Sequence, residues 1–178
     1  MKTTLLIILF AAMTALCFGI FQFGLGVDVA GNQQIETVDH DVPFGTTPSI
    51  EYLKQYENFM YGVGAAYQVQ RDVDNHDGKM GFIPLYGVLR YQFSTLFHVA
   101  PEIVAQGGYN FFTADVDYLN NDTTGGGLYW GVGAGVSINQ KYLFQIMFQN
   151  DLGKIKIEQA ADLDITDTQI DISLGVRI

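Results

Sequence analysis

Seven charged residues stand inside stretches that are otherwise apolar or glycine-rich, and they are the residues of this chain best placed for chemistry. They are Asp28, Glu51, Arg90, Glu102, Asp151, Asp171 and Arg177. A carboxylate and a guanidinium held together away from water form a strong, directional pair. Such pairs either fill the interior of a fold or open and close a path through it. The sequence therefore predicts an interior charge network with a structural or a gating role.

The stretch 128–138 shows what could position these residues. The even-numbered residues, from Leu128 and Trp130 to Ile138, are apolar. The odd-numbered residues, which form the other parity, are Tyr129, three glycines and Ser137. Successive side chains of a strand point to opposite faces. A continuous apolar face opposite a small, mildly polar one suits lipid outside and a crowded, hydrated interior. About 9 to 11 residues is also the length with which a tilted strand crosses a bilayer.

The same alternation recurs along the chain, in the segments 21–29, 49–56, 59–70, 83–93, 97–111, 128–138, 142–152 and 170–178. Long polar connections are predicted at 31–47, 71–81, 113–126 and about 156–165, and short turns at 57–58, 94–96 and 139–141. Aromatic residues collect beside the short turns, as in an interfacial girdle. Long and short connections alternate in an up-and-down barrel. The sequence thus predicts an all-β, eight-stranded, antiparallel, up-and-down transmembrane β-barrel.

The N-terminus is typical of a secretory signal peptide. Lys2 precedes an apolar run, and small residues follow as far as Gly19, so we expect a signal peptide at 1–19, cleaved near 17–19, and a barrel domain at 20–178. An uncleaved anchor helix is the alternative. Cleavage would remove Cys17, the single cysteine, and with it any disulfide or thiol nucleophile. It would leave 8 basic against 19 acidic residues, a charge of -11, which disfavours nucleic acid as a partner.

Three motifs resemble the small eight-stranded outer-membrane barrels of bacteria, such as the OmpA membrane domain, OmpX, OmpW and the neisserial surface protein. They are the glycine-rich alternations at 59–67 and 128–135 and the alternating last strand, and the resemblance covers 20–178. It implies a monomer in the outer membrane of a diderm (Gram-negative) bacterium, surrounded by lipid and lipopolysaccharide and inserted by the barrel assembly machinery. The short turns would lie in the periplasm and the long connections outside.

This resemblance implies a non-enzymatic integral protein whose surface loops contact the environment, a ligand or a host. A narrow pore or carrier for small or apolar solutes is the alternative, as the likeness to OmpW implies. A lipid-modifying enzyme lacks a motif, because barrels resembling lipid A deacylases use a His-x-Ser pair. Here Val42, Gly78 and Ala100 follow the three histidines at the second position. A soluble lipocalin-like barrel would need an apolar interior, which the glycines, glutamines and acids of the inner parity do not provide.

No catalytic residue, cofactor or metal ligand is predicted. The segment 72–78 resembles a calcium loop, but its oxygens fall outside the EF-hand register and no Glu closes it. An acidic hairpin loop is therefore the better interpretation. A weaker hypothesis is that the acidic loops together hold divalent cations at the cell surface.

The fourth and fifth predicted segments, 83–93 and 97–111, carry the most specific expectations. If the turn after Phe93 centres on Thr95, Arg90 lies opposite Ala100 and diagonal to Glu102, within reach of a charged pair. The inner parity also includes His98. The interior of an eight-stranded barrel is just wide enough for side chains to fill, which favours a plug over a gated pore. Pro84 and Pro101 fall inside these strands and predict a bulge or a local gap.

Overall fold

The computed structural model describes residues 19–35, 38–41, 44–72, 78–116, 123–155 and 163–178. Its strands are β1 (Ile20–Ile35), β2 (Val38–Asp41), β3 (Gly45–Tyr56), β4 (Phe59–Ala66), β5 (Gln68–Asp72), β6 (Gly78–Gln92), β7 (Val99–Val116), β8 (Thr123–Ile138), β9 (Tyr142–Ile155) and β10 (Leu163–Arg177). Within these ranges no helix is long and apolar enough to cross a membrane. The predicted signal peptide lies outside them, apart from Gly19.

The ten described strand segments form one closed, antiparallel barrel of eight barrel strands. Each barrel strand pairs with its neighbours in the chain, and β1 pairs with both β3 and β10, which closes the sheet. Segments β2 and β3 pair with β1 in the same register, so together they make one barrel strand. Segments β4 and β5 both pair with β6 and make another. The predicted eight-stranded, antiparallel barrel is confirmed.

Burial follows the predicted alternation. Outward side chains such as Leu25, Val63 and Leu174 are 57 to 65% exposed, whereas the inward Leu53 and Met60 are at most 2% exposed. An apolar surface this extensive is stable where lipid, not water, covers it. The polar side chains are buried inside the barrel, which is the reverse of a soluble protein.

The strands are longer than the hydrophobic pattern indicated. Much of the predicted connection 31–47 is strand, because β1 runs to Ile35 and β3 starts at Gly45. The connection predicted at 113–126 is likewise shortened by β7, which ends at Val116, and β8, which starts at Thr123. Backbone pairing needs a partner strand and not an apolar face, so the sheet continues where both parities have become polar.

Two of the three short turns lie where they were predicted, at Glu57 and Asn58 and at residues 139–141. The third prediction, 94–96, is wrong. The turn is made by Phe97 and His98, and Leu96 and Val99 exchange both backbone hydrogen bonds across it, at 2.8 and 2.9 Å. His98 is therefore exposed in the turn instead of facing the barrel interior.

This shift moves the register of the β6–β7 pair by four residues. Arg90 lies opposite Val104, not Ala100. Because four is an even number, the faces are unchanged, and Glu102 remains diagonal to Arg90. The expected proximity of Arg90 and Glu102 thus survives an error in the turn.

The two prolines behave differently. Between the pairs Ala65–Leu85 and Gln68–Phe82 the ladder is interrupted, and Pro84 lies opposite this gap, as its missing N–H predicts. At Pro101 the β7–β8 register is continuous. The expected irregularity lies on the β6 side, where the regular β6–β7 ladder ends at Gln92–Glu102 and one extra residue separates Phe93 from Leu96. The Pro101 carbonyl accepts from the Phe93 N–H at 2.9 Å, so the side that lacks a donor faces the end of the β6–β7 ladder.

Candidate functional site: the charge network of the lumen

Glu51 is the centre of a hydrogen-bond network in the barrel interior, or lumen. It is 3% exposed and accepts from Arg90, through Nη2 at 2.8 Å and Nε at 3.3 Å. Three neutral donors complete its shell: Gln22 at 3.0 Å, Tyr86 at 3.2 Å and Gln106 at 3.0 Å. A carboxylate with so many donors is well stabilised although it is out of contact with bulk water.

A second ion pair lies toward the short-turn end of the barrel. Arg177 donates to both carboxylate oxygens of Glu102, each at 2.7 Å, which is the bidentate geometry that makes such pairs strong. Arg177 Nε also donates to Gln22 Oε1 at 2.8 Å. Since the amide of Gln22 donates in turn to Glu51, this glutamine joins the two pairs.

Arg90 lies between the two carboxylates. Its Nη1 donates to Gln145 at 2.6 Å and is 3.8 Å from Glu102 Oε2, while Nη2 contacts Glu51 at 2.8 Å. Arg90 is 1% exposed, and so is Glu102. Four of the predicted residues, Glu51, Arg90, Glu102 and Arg177, are therefore brought together into one network with two positive and two negative charges.

The other three predicted residues lie toward the long connections. Asp28 accepts from Thr47 at 3.2 Å, and Asp151 accepts from Gln68 at 3.1 Å. Asp171 faces Asp28 directly across the β1–β10 pair. All three aspartates are at most 3% exposed.

Asp167 belongs to the same acidic group and was missed from the sequence. It is 2% exposed and lies opposite Asp151 across the β9–β10 pair. Asp171 and Gln169 are alternate, inward-facing positions of the last strand. Continuing this alternation by two residues toward the N-terminus would have identified Asp167 as inward-facing too.

Glycines make room for these large polar side chains. A Cβ on Gly64 would lie 2.6 Å from the Tyr86 ring and 2.9 Å from Glu51 Cγ. A Cβ on Gly133 would meet the Met147 sulfur. The glycine-rich inner parity, which first indicated a barrel strand, is thus the complement of bulky side chains on the neighbouring strands.

A cavity of about 30 Å³ remains within the network. Its lining includes Glu51, Gln68, Gln106, Tyr129 and Asp171. This volume holds one or two water molecules and suits a polar lining that can bond them. In the described part of the chain no three His, Cys, Asp or Glu side chains are grouped so as to hold a metal ion. The predicted calcium-like loop falls mainly at residues 73–77, outside the described residues.

A closed eight-stranded sheet with a lipid-compatible exterior and a polar, filled interior defines an integral outer-membrane β-barrel protein. Solved structures of such barrels match the chain over nearly its whole length. No family model and no curated protein matches it.

Three of these structures illustrate the likeness. Neisserial surface protein A (NspA) is 13% identical with a TM-score of 0.62, covering 89% of this chain and 97% of that one. Ail, the attachment invasion locus protein of Yersinia pestis, is 10% identical with a TM-score of 0.56, covering 90% and 99%. The outer-membrane protein AlkL, solved in lipid bilayers, is 10% identical with a TM-score of 0.50, covering 90% and 89%. Such identities show a shared fold.

Proposed function

We propose that this protein is a non-enzymatic surface protein of the outer membrane, in which the barrel is a closed scaffold and the long connections make the functional contacts. One observation carries the proposal. The Glu51–Arg90 and Glu102–Arg177 pairs, joined by Gln22, cross the lumen, and the cavity that the described residues line beside them has a volume of about 30 Å³. A cavity of this size holds one or two water molecules and supports a closed lumen, and function on a rigid scaffold then falls to the segments that join its strands.

The charge of the long connections indicates what they would contact. Segments 36–41, 71–79, 115–122 and 154–164 contain 12 Asp or Glu and 4 Lys or Arg, a formal charge of -8 of the -10 carried by the chain. Charge of one sign concentrated at one end attracts partners of the opposite sign and accelerates their association. We propose a basic protein or peptide surface as the partner, with the long connections outside the cell and the barrel monomeric.

A polyanion is a poor candidate for the same reason. Ail has been solved in complex with the heparin analogue sucrose octasulfate. The acidic connections of this chain would repel such a ligand, so a shared barrel fold does not carry that ligand over.

Two measurements test the proposal. Mature protein folded into a planar bilayer should show no conductance steps, and reproducible steps of defined size would contradict a closed lumen. The same protein in nanodiscs should bind a fluorescent oligolysine peptide and not fluorescent heparin, with affinity that falls as salt rises. A matched control replaces the six aspartates 72, 74, 77, 115, 117 and 122 by asparagine, which should abolish peptide binding and leave the barrel folded. Equal binding by this variant would refute the partner chemistry.

A narrow pore is the second candidate, and the position of Arg90 favours it. Its guanidinium touches Glu51 at 2.8 Å and stands 3.8 Å from Glu102, so a small movement could exchange its partners. If this exchange opens a path, single-channel steps will appear in wild-type protein and disappear when Glu102→Gln removes the second carboxylate. Steps that persist in that variant would exclude this mechanism.

A further inference from the structure

The turn between β6 and β7 is unlike the other two short turns. The β3–β4 turn has Glu57 and Asn58, and residues 139–141 of the β8–β9 turn are Asn, Gln and Lys. The β6–β7 turn instead presents Leu96, which is 67% exposed, and Phe97, which is 88% exposed. Phe97 is thus nearly bare of protein contacts, although burying an aromatic ring is one of the larger stabilising effects available to a fold.

The backbone of this turn is strained around the same residues. Phe97 and His98 have φ angles of 49° and 67°, the left-handed region that suits Gly, Asn or Asp at the centre of a two-residue hairpin turn. A bulky aromatic residue is unfavourable there and gains no packing inside the protein. Strain of this kind, kept at an exposed position, is a reason to look for a binding role.

A bulge directs the apolar side chains outward. Phe93 lies opposite Pro101, and Leu96 lies opposite Val99, so three steps along one strand match two along the other. The extra residue lies between Phe93 and Leu96. Even-numbered residues of β6 such as Arg90 face inward, and after the extra residue the even-numbered Leu96 faces outward. Val99 precedes the inward Ala100, which is 1% exposed. Leu96, as the partner of Val99, therefore shares the outward, lipid-facing side.

The outward surface leads directly to this turn. Phe59, Tyr91 and Phe93 form a chain of edge-to-face contacts with ring centroids 5.0 and 4.9 Å apart, and Phe93 is 45% exposed to the surroundings of the barrel. Aromatic belts of this kind mark the boundary between acyl chains and headgroups. Leu96 follows Phe93 by three residues, so the turn prolongs an established lipid-contacting surface.

We propose that the β6–β7 turn is a membrane-interface anchor. Leu96 and Phe97 insert between the phospholipid molecules of the leaflet at the short-turn end, at the level where acyl chains meet the glycerol backbone. The polar β8–β9 turn stays in water beside it, and the two turns are joined by the hydrogen bond from the Asn139 N–H to the His98 carbonyl, 2.8 Å. The anchor fixes the depth and tilt of the barrel on this side.

Site-specific fluorescence tests the anchor. Trp130 is the single tryptophan, so Trp130→Phe provides a background without tryptophan emission. Phe97→Trp then places a probe at the proposed anchor, and Gln140→Trp places one at the control turn, where φ is 58° and the backbone requirement is therefore similar. Both proteins are reconstituted in phosphatidylethanolamine–phosphatidylglycerol vesicles, with and without bromine on the upper acyl carbons.

The anchor predicts that bromine quenches the probe at position 97 about twofold more than the probe at position 140, because interfacial apolar side chains are buried about 5 to 10 Å into the boundary between headgroups and acyl chains, close to the bromine atoms. Emission at position 97 should be shifted to the blue and protected from acrylamide. Leu96→Trp, on the same outward side, should behave alike and serves if Phe97→Trp fails to fold. Equal bromine quenching at 96, 97 and 140, with full access to acrylamide, overturns the proposal and leaves a periplasmic protein as the occupant of this surface.

Discussion

Removing the Arg90 guanidinium is the sharpest test of the lumen network. Arg90→Ala leaves Glu51 without its cation and Gln145 without its donor, in a place where Arg90 is 1% and Glu51 3% exposed. Breaking a buried ion pair by deleting one partner costs about 3 to 5 kcal/mol. The adjacent cavity can admit water to the remaining carboxylate, so we expect a loss near the lower end, about 3 kcal/mol.

The pair energy is separated from this loss by a double-mutant cycle. The cycle consists of Glu51→Gln, Arg90→Met and the double variant. The double variant removes both charges and keeps most of the volume, so it should lose only about 1 kcal/mol. Trp130 fluorescence during reversible urea unfolding in lipid vesicles measures the free energies of unfolding. Lys54→Met, at a half-buried position on the same strand as Glu51, is the control and should change stability by less than about 0.5 kcal/mol. If Arg90→Ala costs no more than this control, the network does not stabilise the barrel and the reasoning fails.

Four further experiments probe separate features, and each measures the same free energy of unfolding unless stated. Gly64→Ala should cost about 1 to 3 kcal/mol by overpacking the lumen. Gly107→Ala, whose new Cβ meets nothing within 4 Å, is the control and should be neutral. Equal effects of the two variants would contradict close packing around Gly64. Tyr129→Phe removes a 2.6 Å hydrogen bond and should cost about 1 kcal/mol, and no loss would show that water replaces it. Gln140→Gly should stabilise by about 0.5 kcal/mol because φ there is 58°, and destabilisation would contradict that backbone. Arg177→Ala should accelerate amide exchange along β1 and β10 more than along β7 and β8, and uniform acceleration would argue against a local role.

The sequence predicted the faces of the strands far better than their ends. Lipid on one side and a crowded interior on the other select different residue types at alternate positions. Large apolar residues such as Phe23 and Phe144 can therefore be assigned to the lipid-facing side from the sequence. Strand ends depend on whether a partner backbone is present, which no local pattern records. The β6–β7 turn failed for a related reason, since Ser94 and Thr95 look like turn residues, while the turn itself uses Phe97 in a backbone conformation that its side chain disfavours.

The partners within the network were beyond the reach of sequence alone. Parity indicated that Glu51, Arg90, Glu102 and Arg177 face inward, and the diagonal relation of Arg90 to Glu102 followed from the hairpin. Which carboxylate each arginine contacts across the lumen depends on barrel tilt and stagger, which only the closed sheet fixes. Arg90 accordingly forms its hydrogen-bonded ion pair with Glu51, 39 residues away, and Arg177 contacts Glu102, 75 residues away.

These separations connect the lumen network to closure of the barrel. Arg177 and Gln22 face each other directly across the β1–β10 pair, and their hydrogen bond joins residues 155 positions apart. Contacts of such separation can form only once the first and last strands have met, because loop closure must precede them. Gln22 also donates to Glu51, and Arg177 also donates to Glu102. The same side chains that fill the lumen therefore stabilise the β1–β10 pair that closes the barrel. Removing them to open a pore would also destabilise the barrel that forms the wall of that pore.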